Sequence, residues 1–155
     1  MKAVLQRVKS ASVAVDGETV GACGNGFLIL LGVAGGDTGT DAELLAAKIV
    51  KLRVFKDENG KMNRSVTDIG GELLVISQFT LLANYRHGNR PDFLASAKPD
   101  EANRLYEYFK QLLGREVPHV EAGVFGADMQ VSLVNDGPVT IVMDSKDLMK
   151  PEKSV

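Results

Sequence analysis

The stretch Phe27-Leu28-Ile29-Leu30-Leu31-Gly32-Val33 is apolar along its length and is bounded by glycine-rich turns at residues 24–26 and 35–36. A strand with one solvated face alternates apolar and polar side chains, whereas a strand covered on both faces does not. The stretch therefore predicts a central β-strand that has another layer of the protein packed against each face.

The segments on either side of this strand have clear local signals. Residues 2–23 predict strands that turn at Asp16-Gly17, a dipeptide typical of β-hairpins. After the central strand, Thr40 and Glu43 have the spacing of a helix capping box. The apolar residues that follow at spacings of four and three predict one buried helical stripe, namely Leu45, Ile49 and Leu52.

The remaining chain adds more strands and a second helix. We predict a hairpin turning at Asn59-Gly60, a strand at residues 72–76, a long loop at 82–98, and a helix from Pro99 to Gly114. Three further strands are predicted at residues 120–124, 129–134 and 139–143.

About eight strands in runs and two helices favour a mixed α/β fold of the α+β type. We expect three layers, β/β/α: two packed sheets, mostly antiparallel or mixed, with both main helices on one outer face. Residues 1–145 are predicted to form a single domain, and residues 146–155 a polar C-terminal tail.

The composition is that of an ordinary soluble protein: 155 residues, 45% hydrophobic, 25% charged, and a net charge of −2. No apolar run has the length of a membrane span, and the charged start of the chain does not resemble a secretion signal. The single cysteine, Cys23, rules out an internal disulfide and fits a reducing compartment. We therefore expect a cytoplasmic protein that does not associate with membranes.

Two local groups of basic residues stand out against the slightly negative total charge. One group lies between residues 48 and 64 and includes Lys48 and Lys51, and the other consists of Arg86, His87 and Arg90. Each group is consistent either with a solvated surface or with a site that contacts phosphates, and binding at such a site would depend steeply on salt.

The inventory of reactive side chains contains no recognisable catalytic base. His87 and His119 do not lie in a nucleophile motif, and two distant histidines with one cysteine lack metal-ligand spacing, so no metal or cofactor is predicted. Either the protein is not an enzyme, or its chemistry relies on backbone N–H groups that stabilise an oxyanion. Ser77-Gln78-Phe79-Thr80 is a candidate for such a cluster, although the segment taken alone favours the polar end of a strand.

Asn135-Asp136-Gly137-Pro138-Val139-Thr140 lies between the last two predicted strands and has two interpretations. Gly-Pro ordinarily interrupts a sheet, because proline has no N–H to donate, which favours a hairpin turn. Alternatively, the stiff Gly-Pro unit presents its carbonyl groups to a ligand.

Residues 77–81 together with residues 135–140 resemble the paired signature of the D-aminoacyl-tRNA deacylases. Residues 2–8, residues 123–129 and Arg90-Pro91-x-Phe93 are also similar to that family. The resemblance runs in the family's order from the first residue to about Ser145.

The resemblance implies a homodimeric hydrolase that cleaves the ester between a D-amino acid and the 3′ end of tRNA, and also removes glycine from mischarged tRNA. The Gly-Pro bond would be cis and would project into the active site of the partner subunit, where it excludes L-amino acids. A dimeric RNA- or protein-binding module without turnover, and an enzyme that removes a small L-amino acid, are the alternatives.

The resemblance also implies roles for individual residues. The scissile carbonyl would be surrounded by Ser77, Gln78, Phe79 and Thr80, with Thr80 acting as the nucleophile or positioning water. Substrate binding and chiral selection would involve Arg7, Phe125, Met129, Asn135, Gly137, Pro138 and Thr140. The tRNA would be contacted by Lys48, Lys51, Arg86 and Arg90.

Overall fold

The computed structural model describes residues 1–150 and contains eight strands and two α-helices in that range. The strands are β1 (Lys2–Val15), β2 (Glu18–Cys23), β3 (Gly26–Gly32), β4 (Phe55–Lys56), β5 (Met62–Arg64), β6 (Glu72–Ser77), β7 (Val120–Ala122) and β8 (Gln130–Asp144). The helices are α1 (Gly39–Lys51) and α2 (Pro99–Gly114), and two short 3₁₀ helices span Phe79–Leu82 and Ser145–Leu148.

The predicted central strand, β3, lies in the middle of a six-stranded mixed sheet. The order is β2-β1-β3-β6-β7, and β8 pairs with β1 outside this path. β3 is antiparallel to β1 and parallel to β6, which is in turn parallel to β7. A separate two-stranded sheet, β4–β5, forms the predicted hairpin around Asn59-Gly60.

The 14-residue strand β1 extends into both halves of this sheet. Its first half pairs with β3 from Lys2 opposite Gly32 to Val8 opposite Gly26, and its second half pairs with β2 from Ala11 opposite Cys23. Two hydrophobic clusters result, one on each face of β3. This arrangement explains why both faces of β3 are apolar.

The first cluster lies between the sheet and the helices. It contains Phe27, Ile29 and Leu31 from β3 together with Leu45 of α1 and Leu105 of α2, all at most 1% exposed. The second cluster contains Leu28 from the opposite face of β3, packed with residues of β1, β2 and β6 that include Val13, Cys23 and Leu74. Two helices on one face of a folded-over sheet confirm the predicted mixed α/β architecture.

Helix α1 begins earlier than predicted, so the proposed capping box of Thr40 and Glu43 is wrong. The N-cap is Thr38, whose N–H donates to Oδ2 of Asp41 at 2.7 Å. Asp41 also accepts a 2.7 Å hydrogen bond from the buried hydroxyl of Ser145, so a tertiary contact fixes the helix start. Glu43 instead accepts a 2.8 Å bond from the Tyr108 hydroxyl.

The two strands predicted at residues 129–134 and 139–143 form one continuous strand, β8, and the hairpin interpretation of the Gly-Pro segment is wrong. Because β8 pairs with β1 on both sides of Gly137-Pro138, β1 supplies hydrogen-bond partners across the interruption. The chain therefore passes through the Gly-Pro segment without reversing its direction.

Within residues 1–150, no helix is long and apolar enough to cross a membrane. The predicted polar tail begins within the 3₁₀ helix Ser145–Leu148, where Leu148 packs against the first cluster. The remainder of that tail, residues 151–155, lies outside the described residues.

Candidate functional site

A cleft of about 620 Å³ lies where the three parallel strands β3, β6 and β7 end. Carboxyl ends of parallel strands lie at the same edge of a sheet, which is where open α/β sheets commonly bind ligands. Most of the lining side chains are apolar, and the polar groups come mainly from the end of β6. The lining includes Leu31, Val33, Ile76, Ser77, Gln78, Phe79, Phe93, Ser96, Ala97, Phe125, Asp128 and Met129.

The first wall of the cleft is formed by the end of β6 and the 3₁₀ helix that follows. Ser77 is the last residue of β6, and the Gln78 N–H still donates to the Leu31 carbonyl at 2.8 Å. The chain then turns into the helix that starts at Phe79. The N–H groups at the start of a helix have no acceptor within it. Those of Phe79 and Thr80 also find no acceptor elsewhere in residues 1–150.

The side chains of this wall are linked to one another. The Gln78 amide donates to the Thr80 hydroxyl, and both groups are accessible. Ser77, Gln78 and Phe79 line the cleft, whereas the exposed Thr80 follows them in sequence and is not among the lining residues. Residues 77–80, the predicted catalytic segment, therefore lie together at this wall, and Gln78 orients the hydroxyl of Thr80.

A long loop closes this side of the cleft. The rings of Phe79 and Phe93 meet edge to face with 5.0 Å between their centroids. The Ser96 hydroxyl donates to the Phe79 carbonyl at 3.3 Å. These contacts fix the start of the 3₁₀ helix against residues 93–97. Of these loop residues, our sequence interpretation identified only Phe93, through the Arg90-Pro91-x-Phe93 pattern.

The opposite wall comes from the segment between β7 and β8, which contains Phe125 and Met129. Phe125 lies against the buried ring of Tyr106, with 6.1 Å between the centroids. Burial raises the pKa of Tyr106, so its hydroxyl stays neutral and donates to the Val75 carbonyl at 2.9 Å. Tyr106 thus supports Phe125 from α2, a role that no sequence pattern indicated.

Asp128 is the only ionisable residue among those that line the cleft, and it is exposed. His119 lies elsewhere, 2.8 Å from Glu121, and burial raises the pKa of Cys23 to about 11. No group of three or more His, Cys, Asp or Glu side chains in residues 1–150 is arranged to hold a metal. Side-chain acid–base catalysis therefore has little support in this cleft.

The Gly-Pro segment forms a wide bulge in β8. Gln6 pairs with Thr140 and Val8 with Asn135, so that a single residue of β1, Arg7, faces residues 136–139. The Gly137-Pro138 peptide bond is cis, Gly137 has a φ of 130°, and both residues are exposed. The bulge presents a short piece of backbone to the exterior.

Side chains on both sides hold this bulge in place. The Asn135 amide donates to the Val139 carbonyl at 3.0 Å, and its Oδ1 accepts from the Val139 N–H at 3.1 Å. The Arg7 side chain is 3% exposed and donates from Nε to the Asp136 carbonyl at 3.1 Å. The Nη1 group of Arg7 donates to the Val54 carbonyl at 2.7 Å. The sequence patterns did not predict this partner.

The bulge and the cleft are separate within one chain. None of Arg7, Asn135, Gly137, Pro138 and Thr140 is among the lining residues of the cleft. Val131, the residue of β8 that lines the cleft, pairs with Val13, and the bulge begins after Asn135, which pairs with Val8, five residues along β1. At about 3.3 Å per residue, this separation is roughly 16 Å. The predicted site residues thus form two groups that one chain does not bring together.

The two basic groups also have different positions. Lys48 and Lys51 are exposed on α1, and no residue of α1 lines the cleft. Arg86 and Arg90 are exposed in the long loop, on the segment that leads to the cleft residue Phe93.

The chain is similar to known proteins along most of its length. The family model described as D-Tyr-tRNA(Tyr) deacylase matches residues 4–144. A protein named D-aminoacyl-tRNA deacylase from Thermus aquaticus is 57% identical over 147 residues, covering 95% of this chain and 97% of the relative. One of the same name from Chloroflexus aurantiacus is 56% identical over 155 residues, with coverages of 99% and 96%.

Solved structures agree with this result. A structure titled c-Myc DNA Unwinding Element Binding Protein superposes with a TM-score of 0.88 at 44% identity, covering 93% of this chain and 98% of the other. A probable eukaryotic D-amino acid tRNA deacylase shares the fold, with a TM-score of 0.78 at 15% identity and coverages of 92% and 98%. The resemblance predicted from the two signature segments is confirmed, and the chain belongs to the D-Tyr-tRNA(Tyr) deacylase family.

Proposed function

We propose that this chain, as a hydrolase of its family, cleaves the ester that joins a D-amino acid to the 3′-terminal adenosine of tRNA. The products are the free D-amino acid and tRNA ready for another round of charging. The family match over residues 4–144 supports this reaction, and the apolar cleft with its polar end at Ser77 and Gln78 offers a place for the aminoacyl group.

The chemistry that suits this cleft relies on backbone groups. The unpaired N–H groups of Phe79 and Thr80 would bind the ester carbonyl oxygen as it becomes an oxyanion. One such donor contributes about 3–4 kcal/mol to catalysis in other enzymes. Water would attack the carbonyl carbon and the ester C–O bond would break. The released ribose oxygen would take up a proton, assisted by the neighbouring hydroxyl of the same ribose.

In this mechanism Thr80 positions water rather than attacking as a nucleophile. A threonine nucleophile needs a base to accept its proton, and the only ionisable residue lining the cleft is the exposed Asp128. The Gln78 amide already donates to the Thr80 hydroxyl, which leaves this oxygen oriented for a polar contact with water or substrate.

Chiral selection is assigned to the bulge of a second subunit in a homodimer. Gly137 and Pro138 are exposed, and Arg7 and Asn135 hold them in place, yet the cleft of their own chain begins roughly 16 Å away. Inserted into the partner's cleft, their carbonyls would face the α-amino group of the substrate. An L-side chain would then collide with backbone, whereas D-amino acids and glycine would fit. This proposal rests on the observation that the buried side chain of Arg7 holds a bulge that is itself exposed.

We assign the protein to the cytoplasm, where charged tRNA is used, and the free, buried Cys23 is consistent with a reducing compartment. Residues 1–145 are assigned to one deacylase domain, supported by the family match to residues 4–144, and residues 146–155 to a polar extension.

Mixed dimers test the cross-subunit site directly. Gly137→Ala damages the bulge and Phe79→Ala damages the cleft, so each variant alone should hydrolyse D-tyrosyl-tRNA slowly. After denaturation and refolding together, half of the dimers pair the two variants, and each such dimer has one intact cleft facing one intact bulge. Activity should return to about a quarter of the wild-type level. If the mixture is no more active than the separate variants, the cross-subunit site is wrong. The variants refolded separately are the control.

A further inference from the structure

The tip of the loop beside the cleft has a defined shape. Asn84 and Asp92 exchange two backbone hydrogen bonds, of 2.8 and 3.0 Å, and the Asn84 amide also donates to the Asp92 carboxylate at 3.3 Å. This pair clasps the ends of residues 85–91, and Gly88, with a φ of 66°, turns the chain between them. We call residues 85–90 the loop tip.

The loop tip combines an exposed aromatic ring with cations that have no partner. Tyr85 is 80% exposed. In the sequence it lies between Asn84, which is hydrogen-bonded to Asp92, and Arg86. The ion pairs within residues 1–150 do not include Arg86 or Arg90. The nearest acid in sequence, Asp92, already accepts from the Asn84 amide and the Leu94 N–H. The positive charge of the tip is therefore available to a ligand.

Both ends of the loop tip join the walls of the cleft. On one side the Ala83 N–H bonds to the Thr80 carbonyl at 3.1 Å, so the clasp follows directly after the 3₁₀ helix of the first wall. On the other side Phe93, next to Asp92, lines the cleft and packs against Phe79. If the reacting ester of a substrate lies in the cleft, the part of the substrate that extends out of the cleft would pass next to the loop tip.

We propose that the loop tip binds the unpaired nucleotides that precede the terminal adenosine of the substrate, an inference that rests on the proposed function. Tyr85 stacks on a base, and Arg86 and Arg90 contact the adjoining phosphates. Single-stranded RNA is commonly held by aromatic rings that stack on bases and by a positively charged surface that follows the backbone. Stacking holds a base without depending strongly on its sequence. Lys48 and Lys51 lie on α1, which contributes no residue to the cleft lining, so the proposal assigns these nucleotides to the loop tip rather than to this helix.

A comparison of two substrates tests Tyr85. The long substrate is D-tyrosyl-tRNA, and the short one is the D-tyrosyl ester of adenosine, which has no preceding nucleotides. Tyr85→Ser should raise KM for the long substrate about 10-fold, the cost of losing one stacked base, with kcat unchanged. Both constants should stay unchanged for the short substrate. Tyr85→Phe should restore the KM, and Leu94→Ser, at a 90% exposed residue of the same loop, is the matched control.

The salt dependence of KM tests the two arginines. Arg86→Gln combined with Arg90→Gln should lower the slope of log KM against log salt by about 1 to 1.5 for the long substrate, since each phosphate contact to a single strand contributes about 0.7. Lys48→Gln combined with Lys51→Gln, a pair with the same change of charge, should leave this slope unchanged.

The proposal is overturned if Tyr85→Ser impairs both substrates equally or neither of them, or if the lysine pair carries the salt dependence. If the proposed function itself is wrong, the wild type will cleave neither substrate, which distinguishes that result from failure of the loop-tip proposal. The loop tip is then tested by binding alone, measured as the fluorescence anisotropy of uncharged tRNA labelled at its 3′ end. Weaker binding by Tyr85→Ser but not by Leu94→Ser would support the loop tip as an RNA site, and equal binding would overturn it.

Discussion

The side chain of Arg7 donates a 3.1 Å hydrogen bond from Nε to the carbonyl oxygen of Asp136, directly before the Gly-Pro unit. Arg7 is the one residue of β1 that faces the bulge, and it is almost completely buried. The second hydrogen bond of its guanidinium, to the Val54 carbonyl, ties the bulge to the segment after α1. The exposed Gly-Pro bulge is thus held by a residue of the protein interior.

We expect Arg7→Lys to lower both stability and chiral selection. A lysine ammonium is a single point of contact and does not reproduce the fork that reaches both carbonyls. Leaving a buried carbonyl unpaired costs about 1–3 kcal/mol of unfolding free energy, measurable by urea denaturation. The preference for D- over L-tyrosyl-tRNA should fall in the same variant. Arg53→Lys is the control, because Arg53 bonds to the Asn63 carbonyl on the exposed surface, and its effect should be small.

Gly137→Ala should damage the bulge specifically. A Cβ at Gly137 would lie 2.9 Å from a Val139 methyl group and 3.1 Å from the Arg7 guanidinium, at a φ of +130° that L-residues rarely adopt. The matched control is Gly70→Ala, which also has a positive φ, of +62°, but no atom within 4 Å of the added Cβ. The backbone conformation should cost about 1–2 kcal/mol of unfolding free energy in Gly70→Ala and about 1–3 kcal/mol in Gly137→Ala.

Only Gly137→Ala should also reduce kcat/KM for D-tyrosyl-tRNA by 10-fold or more. This reduction corresponds to a loss of about 1.4 kcal/mol or more of transition-state stabilisation. If the two alanine variants are equally active, and circular dichroism shows that both are folded, then the bulge has no role in catalysis.

The backbone donor at residue 79 is tested by comparing Phe79→Pro with Phe79→Ala. Both variants lose the ring, and only proline also removes the N–H. Proline is tolerated at the first position of a helix, and the preceding Gln78, with φ −141° and ψ 82°, lies outside the α region that proline disfavours in the residue before it. The kcat of the proline variant should be lower than that of the alanine variant by a further factor of about 10²–10³. Similar kcat values would show that this N–H does not stabilise the oxyanion.

His119 should make stability depend on pH near neutrality. Its ring nitrogen lies 3.0 Å from the Ala22 carbonyl and 2.8 Å from Glu121, and these contacts join β2 to β7. The hydrogen bond to Ala22, followed by the charges of Glu72 and Glu121, raises the pKa of His119. The protonated form is thus favoured in the folded protein.

The stabilisation from this histidine is fully present below its unfolded pKa of about 6.5, and it is lost as the pH rises through the higher folded pKa. The Tm of the wild type should therefore fall more between about pH 6 and pH 8.5 than the Tm of His119→Gln, which has no group titrating at this position. Parallel Tm curves for the two proteins would contradict this assignment. His87→Gln, in the exposed loop, controls for the loss of a histidine.

The sequence predicted those parts of the fold that depend on local patterns. The apolar run in β3 showed that both its faces are covered, and Pro99 and Gly114 mark the two ends of α2 as observed. For α1, Thr38 and Thr40 both fit a capping pattern, and the bond from Ser145 to Asp41 decides between them. That contact is remote in sequence, so no local pattern contains it.

The same distinction applies to the site. The segments at residues 77–80 and 135–140 were recognisable as signatures, but the continuity of β8 through Gly137-Pro138 depends on the long partner strand β1. Gly-Pro alone indicates an interruption of a sheet, which is why a hairpin was a reasonable prediction. The contact of Arg7 with Val54 and the clasp of Asn84 with Asp92 also join residues that no sequence pattern connects.

The central claim is that the chain hydrolyses D-aminoacyl-tRNA and spares the L-form. The most direct test is the release of labelled tyrosine from matched D-tyrosyl- and L-tyrosyl-tRNA by the purified protein, with a chelator present. The account predicts rapid loss of the D-ester while the L-ester stays intact. Equal cleavage of both esters, or binding of the tRNA with cleavage of neither, would contradict it.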